Sequence, residues 1–430
     1  MKLLRAAREN LHFSDTLNAS RLIGVFGFSQ LVQLFSSIAR VPAVASTSSL
    51  EVLGQTFLWL SLQAWASMLT AGEVNVSRVA ALNKAALKKR GLSTRILVLG
   101  SISFAIVISI FTMVYNVVWS AGLGPTVIGF IITLTFARNL GVAQGLEKIN
   151  GQFLSSAFGS VIGLVATVGL TNAWFWKLEN ESTQICTLAF VSLLTYSAPY
   201  FYSKVITLGY PQELQKTSKN FSRQIFFKLV ELAAVLPAAF VSGFDALALS
   251  LAGRASSLPE YGLVTRLGLV TTIVVSALYV RINNLAFLQE DESRGAFFRT
   301  GVKLLMLSAP FIGFFMMSAG PLTFFLSDNK VQASEQAVIA VTMVAVVTPF
   351  WIGASAQISK IPLLRRQLGI TVLALVLPIS VALSFLAAYN MGASGPIYAS
   401  SVTYLLTFIS AWILLNRYQA RSNSMIKRES

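Results

Sequence analysis

Apolar runs of about twenty residues recur along the chain, each closed by a short polar or basic stretch. A run of roughly that length crosses a bilayer as an α-helix. Such windows predict spans at 22–41, 55–75, 96–118, 124–144, 153–172, 183–203, 225–245, 262–282, 302–322, 336–356, 367–388 and 396–416. The window 225–245 is the least regular, because Lys228, Glu231 and Asp245 interrupt it.

A short repeat organises these spans. Ser48-Ser49-Leu50-Glu51-Val52-Leu53-Gly54 precedes span two, and Ser256-Ser257-Leu258-Pro259-Glu260-Tyr261-Gly262 precedes span eight. The copies lie six spans apart and each leads into a span at its glycine. The pattern predicts an all-α integral membrane protein of about twelve helices. Two six-helix bundles, related by a parallel pseudo-two-fold, would surround a central cavity. The expected organisation is a tail over 1–21, bundles over 22–210 and 211–416, and a second tail over 417–430.

Composition rules out a water-soluble alternative. The chain of 430 residues is 55% hydrophobic and only 12% charged, where soluble domains carry about a quarter charged residues. Mean hydropathy is +0.68. The net charge of +16 raises the question of a nucleic-acid partner, but its distribution answers it. With the N-terminus inside, 28 of the 33 lysines and arginines fall on the cytoplasmic side, as the positive-inside rule requires. Both termini are therefore expected in the cytoplasm of a bacterial inner-membrane protein, with no nucleic-acid role. The first span is expected to stay uncleaved, since its n-region is long and Gln30 and Gln33 interrupt its apolar stretch. One cysteine, Cys186, and one histidine, His12, leave no internal disulfide and no histidine-based metal site.

Polar residues inside spans point to a cavity, because an intramembrane charge costs about 2.5–3.5 kcal/mol on translocon scales. Gln30, Gln33, Ser37 and Arg40 form one helical stripe of span one. Gln63, Ser67, Thr70 and Glu73 form another on span two, and Lys228, Glu231, Ser242 and Asp245 a third on span seven. Span eight carries Arg266 about one turn from its outer end. These are the first two helices of each half, so their stripes are expected to line the cleft between bundles. Arg40 and Asp245 sit near the outer boundary on this count, where snorkelling to headgroups is the plainer explanation. Glutamine and hydroxyl stripes also serve as ordinary helix–helix contacts.

Three stretches resemble the polysaccharide-exporting branch of the multidrug, oligosaccharidyl-lipid and polysaccharide (MOP) flippase superfamily. They are Phe244-Asp245 with Leu249 and Pro259-Glu260-Tyr261-Gly262; Leu53-Gly54 through Ala71-Gly72 and Ser77-Arg78; and Gln144-Gly145-Leu146 to Phe153. The likeness covers most of 20–290. It implies a flippase that moves an undecaprenyl-diphosphate-linked oligosaccharide, an O-antigen or exopolysaccharide repeat unit, to the outer leaflet. The partners implied are that lipid-linked sugar, membrane lipid, and polymerase or chain-length machinery. Arg40 and Arg266, with Arg138 at the inner mouth, are the expected diphosphate contacts, because a guanidinium offers paired donors. Gln30, Gln33 and Gln63 are expected beside them. Glu73, Glu231 and Asp245 are candidates for sugar contacts or for proton or sodium coupling, with no cofactor or metal. No nucleotide-binding GxxxxGK[ST] sequence occurs. The rivals are a multidrug–cation antiporter of the same superfamily, a lipid II flippase, and a membrane glycan-processing enzyme. The short loops and a lone His12 in a tail weigh against the enzyme.

Overall fold

The computed structural model describes residues 28, 31–32, 35–58, 61, 149–173, 184, 187–188, 236–268, 271 and 296–429. The predicted spans 96–118 and 124–144, and most of 55–75, 183–203 and 262–282, lie outside these residues. So does the first part of 225–245.

The described helices are α1 (35–47), α2 (50–58), α3 (Ile149–Ala173), α4 (Leu236–Leu251), α5 (258–268), α6 (Ala296–Leu326) and α7 (Glu335–Lys360). Then follow α8 (Pro362–Thr371), a π-helical turn (Val372–Val376), α9 (Leu377–Met391) and α10 (Ser394–Glu429). No strand occurs among the described residues. Four stretches are long and apolar enough to cross a membrane: Gly301–Leu326, Glu335–Ala354, Leu363–Met391 and Ser394–Tyr418. They match the last four predicted spans.

Several helices run past the predicted windows. α1 continues to residue 47 and α4 to Leu251, while α5 begins at residue 258. At the end of α1 the hydroxyls of Thr47 and Ser48 donate to the carbonyls of Ala43 and Val44, which satisfies their polarity within the last turn. True ends have local causes. Ser334 caps α7 by accepting from the Ala337 N–H at 3.3 Å. Extended Ile361 precedes Pro362, which starts α8. Gly392, at φ 58°, ends α9.

In the second half α10 is the central post, packed against α4, α7, α8 and α9. Small residues let the backbones approach. Ala246, Ala248, Ala337, Ala340, Ala354, Ala388 and Ala411 are all fully buried. At Gly268 of α5 a Cβ would stand 2.2 Å from Val341 Cγ1 of α7, and at Gly301 of α6 it would stand 2.7 Å from Phe350 Cδ1 of α7. Large apolar side chains such as Met317, Phe314 and Phe325 face outward from α6, as lipid-facing positions do.

The turns at 48–49, 252–257, 327–334 and 392–393 gather on one face. Arg254 donates through Nη2 to the Tyr389 carbonyl at 3.0 Å. The Glu260 carboxylate accepts from the Ser334 N–H at 2.8 Å. Lys330 Nζ donates to the carbonyls of Ala45 and Ser48, the latter at 3.1 Å.

Candidate functional site

Two polar groupings stand out, one at the seam between the halves and one inside the second half. At the seam, the two copies of the sequence repeat meet. A Cβ on Gly54 of α2 would stand 3.1 Å from Pro259 Cδ and 3.2 Å from Leu258 Cβ of α5. A Cβ on Gly262 of α5 would stand 2.1 Å from Phe57 Cγ of α2. Each glycine therefore receives the partner helix, and the seam is dry. Val41, Val44, Ala45, Val52, Leu53, Phe57 and Leu263 form one buried cluster there.

Both predicted intramembrane arginines lie at this level of α1. Arg40 reaches within the first half, donating through Nη2 to the Ser160 carbonyl of α3 at 2.8 Å. Arg266 reaches across from α5, its Nη1 3.4 Å from the Ser37 carbonyl of α1. The Arg266 guanidinium carbon lies 4.6 Å from the centroid of the Phe57 ring, a cation–π distance. Ser37 and Arg40 are less than one turn apart, so the structure brings the two arginines to the same stretch of α1. The sequence expectation is corrected in depth. α1 runs on past Arg40 for about two turns, and Arg266 lies eight residues into α5, about 12 Å from its start. Each guanidinium meets a protein carbonyl, Arg40 that of Ser160 and Arg266 that of Ser37.

The third located residue, Asp245, is corrected more strongly. It was expected at the outer boundary of span seven, facing the cleft. Because α4 continues to Leu251, Asp245 lies about 9 Å below the helix end and is only 2% exposed. It points into the second half. The Ser384 hydroxyl of α9 donates to Oδ1 at 3.3 Å, and the Ser400 hydroxyl of α10 donates to Oδ2. Thr403 Oγ1 continues the polar seam one turn along by donating to Ser380 Oγ at 2.7 Å. Phe244 packs edge-on against Phe385, with centroids 5.6 Å apart. A carboxylate enclosed this way is an expensive group to place inside a membrane-spanning bundle.

Gln30, Gln33, Gln63, Glu73, Arg138 and Glu231 lie outside the described residues. Sequence reasoning missed Ser384, Ser400 and Phe57. The hydroxyls sit 139 and 155 residues from Asp245, on spans whose polar content drew no attention. The usable signal was the four-residue spacing of Ser380 and Ser384 in an otherwise apolar run.

No family profile matches the chain. No characterised protein matches it by sequence. Its fold, however, is similar to solved transporters over nearly its whole length. One is the Vibrio cholerae MATE transporter VcmN in the bent form, with TM-score 0.51 at 14% identity, covering 95% of this chain and 99% of that one. A MATE structure in complex with MaL6 gives 0.61 at 12% identity, over 94% and 96%. An outward-facing multidrug resistance MATE family transporter of the MOP superfamily gives 0.59 at 14% identity, over 94% and 96%. The chain thus has the all-α, twelve-helix membrane fold of MATE transporters.

Proposed function

We propose that the chain is a secondary transporter that carries its substrate by alternating access of two six-helix halves, with Asp245 as the coupling carboxylate. The observation that carries this reading is the buried Asp245 with its two hydroxyl partners, set in a MATE-type fold. Among substrates, the solved relatives support a multidrug–cation antiporter better than the lipid-linked oligosaccharide flippase expected from sequence. An antiporter would exchange an organic cation against the proton or sodium ion held at Asp245. Both termini are placed in the cytoplasm by the lysine and arginine bias alone.

One observation favours the second reading. Arg266 reaches the Ser37 carbonyl on the stretch of α1 that carries Arg40, and two guanidinium groups so close would suit a diphosphate and repel an organic cation. A flippase for an undecaprenyl-diphosphate-linked sugar would use both as headgroup contacts. It would hand its product to polymerase machinery on the far side.

Two strains separate the readings: one lacking its own multidrug exporters, the other lacking its repeat-unit flippase. For the antiporter, the chain is expected to raise tolerance to cationic dyes several-fold, and Asp245→Asn to return it to the empty-vector level. Arg266→Ala and Arg40→Ala are expected to keep that tolerance. Restored surface polysaccharide that falls about tenfold in Arg266→Ala, at normal membrane levels, would instead assign the flippase. A tenfold loss corresponds to about 1.4 kcal/mol, within the range for a charge-assisted contact.

A further inference from the structure

The seam is closed, and one side chain ties it from above. Lys330 sits in the turn between α6 and α7, in the second half, and its ammonium is received by the carbonyls of Ala45 and Ser48, in the first half. Those carbonyls end α1 and begin the link to α2, where the helix dipole places partial negative charge. Lys330 therefore acts as a foreign C-cap on α1.

The turn that carries it is held in shape. Asp328 and Asn329 take left-handed φ of 56° and 63°, a conformation those residue types tolerate. Ser327 Oγ accepts from the Val331 N–H at 2.8 Å, and Thr323 Oγ1 accepts from the Ala333 N–H at 3.0 Å. The Ser334 N–H is bound by Glu260, at the start of α5. The turn is thus fixed to the second half at both ends while its lysine reaches into the first. Beneath it lies the seam between α2 and α5, whose apolar contacts include Leu326, just before the turn, and Val331 within it.

We infer that the 327–334 turn is a strap that locks this face shut, with Lys330 as its latch. Separation of α1 and α2 from α5 breaks both lysine contacts, so the latch holds only the closed arrangement. It acts through position and takes no part in binding substrate. The inference is independent of which substrate is carried.

The test uses purified full-length protein in lipid nanodiscs, with Cys186→Ala to clear the native thiol. Leu263→Cys reports on the seam, where Leu263 is 1% exposed, and Ala411→Cys reports on the interior of the second half, where Ala411 is 0% exposed. Reaction with a polar maleimide is followed in each. Lys330→Gln is expected to speed labelling at Leu263→Cys by about tenfold, the equivalent of one lost charge-assisted hydrogen bond. Lys330→Arg, which keeps the charge and donors, is expected to stay near the parent rate. Labelling at Ala411→Cys is expected to be unchanged in both. Equal seam labelling with and without the lysine overturns the latch. A parallel rise at Ala411→Cys overturns it as well, because Lys330 would then be supporting the whole bundle.

Discussion

Asp245→Asn is expected to lower ion-driven transport by about 100-fold while leaving the helical bundle assembled. Asparagine matches aspartate in size, so the pocket between α4, α9 and α10 keeps its packing. A serine hydroxyl donates or accepts, so Ser384 and Ser400 can both be satisfied by the amide. The stability cost is therefore below about 1 kcal/mol, within the net range of one hydrogen bond. What asparagine removes is the charge that can exchange a proton or a cation. Coupling free energies of about 1–3 kcal/mol reach roughly 150-fold, which sets the expected loss. Asp245→Ala should differ, since it opens a cavity and strands two buried hydroxyls at a cost of about 2–4 kcal/mol. Flux into proteoliposomes under an imposed proton or sodium gradient, read beside a melting curve, separates the two effects. An asparagine variant that transports like the parent would reduce Asp245 to a packing residue.

The second large effect is expected at the seam. In Gly262→Ala the new methyl would sit 2.1 Å from Phe57 Cγ and 2.7 Å from Phe57 Cβ, so the ring or the helices must move. Overpacking of this kind costs about 1–3 kcal/mol. The cost falls only on the arrangement in which α2 and α5 touch, so it shifts the closed-to-open ratio by roughly 5- to 150-fold toward open. Spin labels at Ser46→Cys and Ser256→Cys, both exposed, are expected to show the longer distance in most molecules. Phe57→Ala removes two of the three nearest atoms and is expected to recover part of the closed population in the double variant. An unshifted distance distribution would mean that the seam accommodates the methyl without opening.

Helix number was legible in the sequence because it is written locally, in apolar length. The repeat was legible too, and its glycines are where the two helices approach: Gly54 faces Leu258 and Pro259, and Gly262 faces Phe57. Helix ends were not. α1 runs to Thr47, past its predicted end at 41, and α4 to Leu251, past its predicted end at 245. Arg40 and Asp245 therefore lie within their helices and not at the ends. The company each site residue keeps was invisible for a different reason. Ser400 reaches Asp245 from 155 residues away, and Arg266 meets the Ser37 carbonyl from 229 residues away. Only packing brings such residues together, and no local pattern encodes it.

The π-helical turn Val372–Val376 sets a phase. From Leu364 to Ala388 every fourth residue is buried: Leu364, Leu368, Val372, Val376, Ser380, Ser384 and Ala388. On a straight α-helix positions four apart advance about 40° too far at each step, so such a stripe would wind away from its neighbours. A wider turn midway takes up residues without advancing the face as fast. The stretch below the turn is thereby indexed to Trp351, Ala411 and Leu415, and the stretch above it to Asp245. One residue removed between 372 and 376 would rotate all that follows by about 100°, carrying Ser384 to a different face. The Asp245 pocket thus depends on a change of helical phase made two turns away from it.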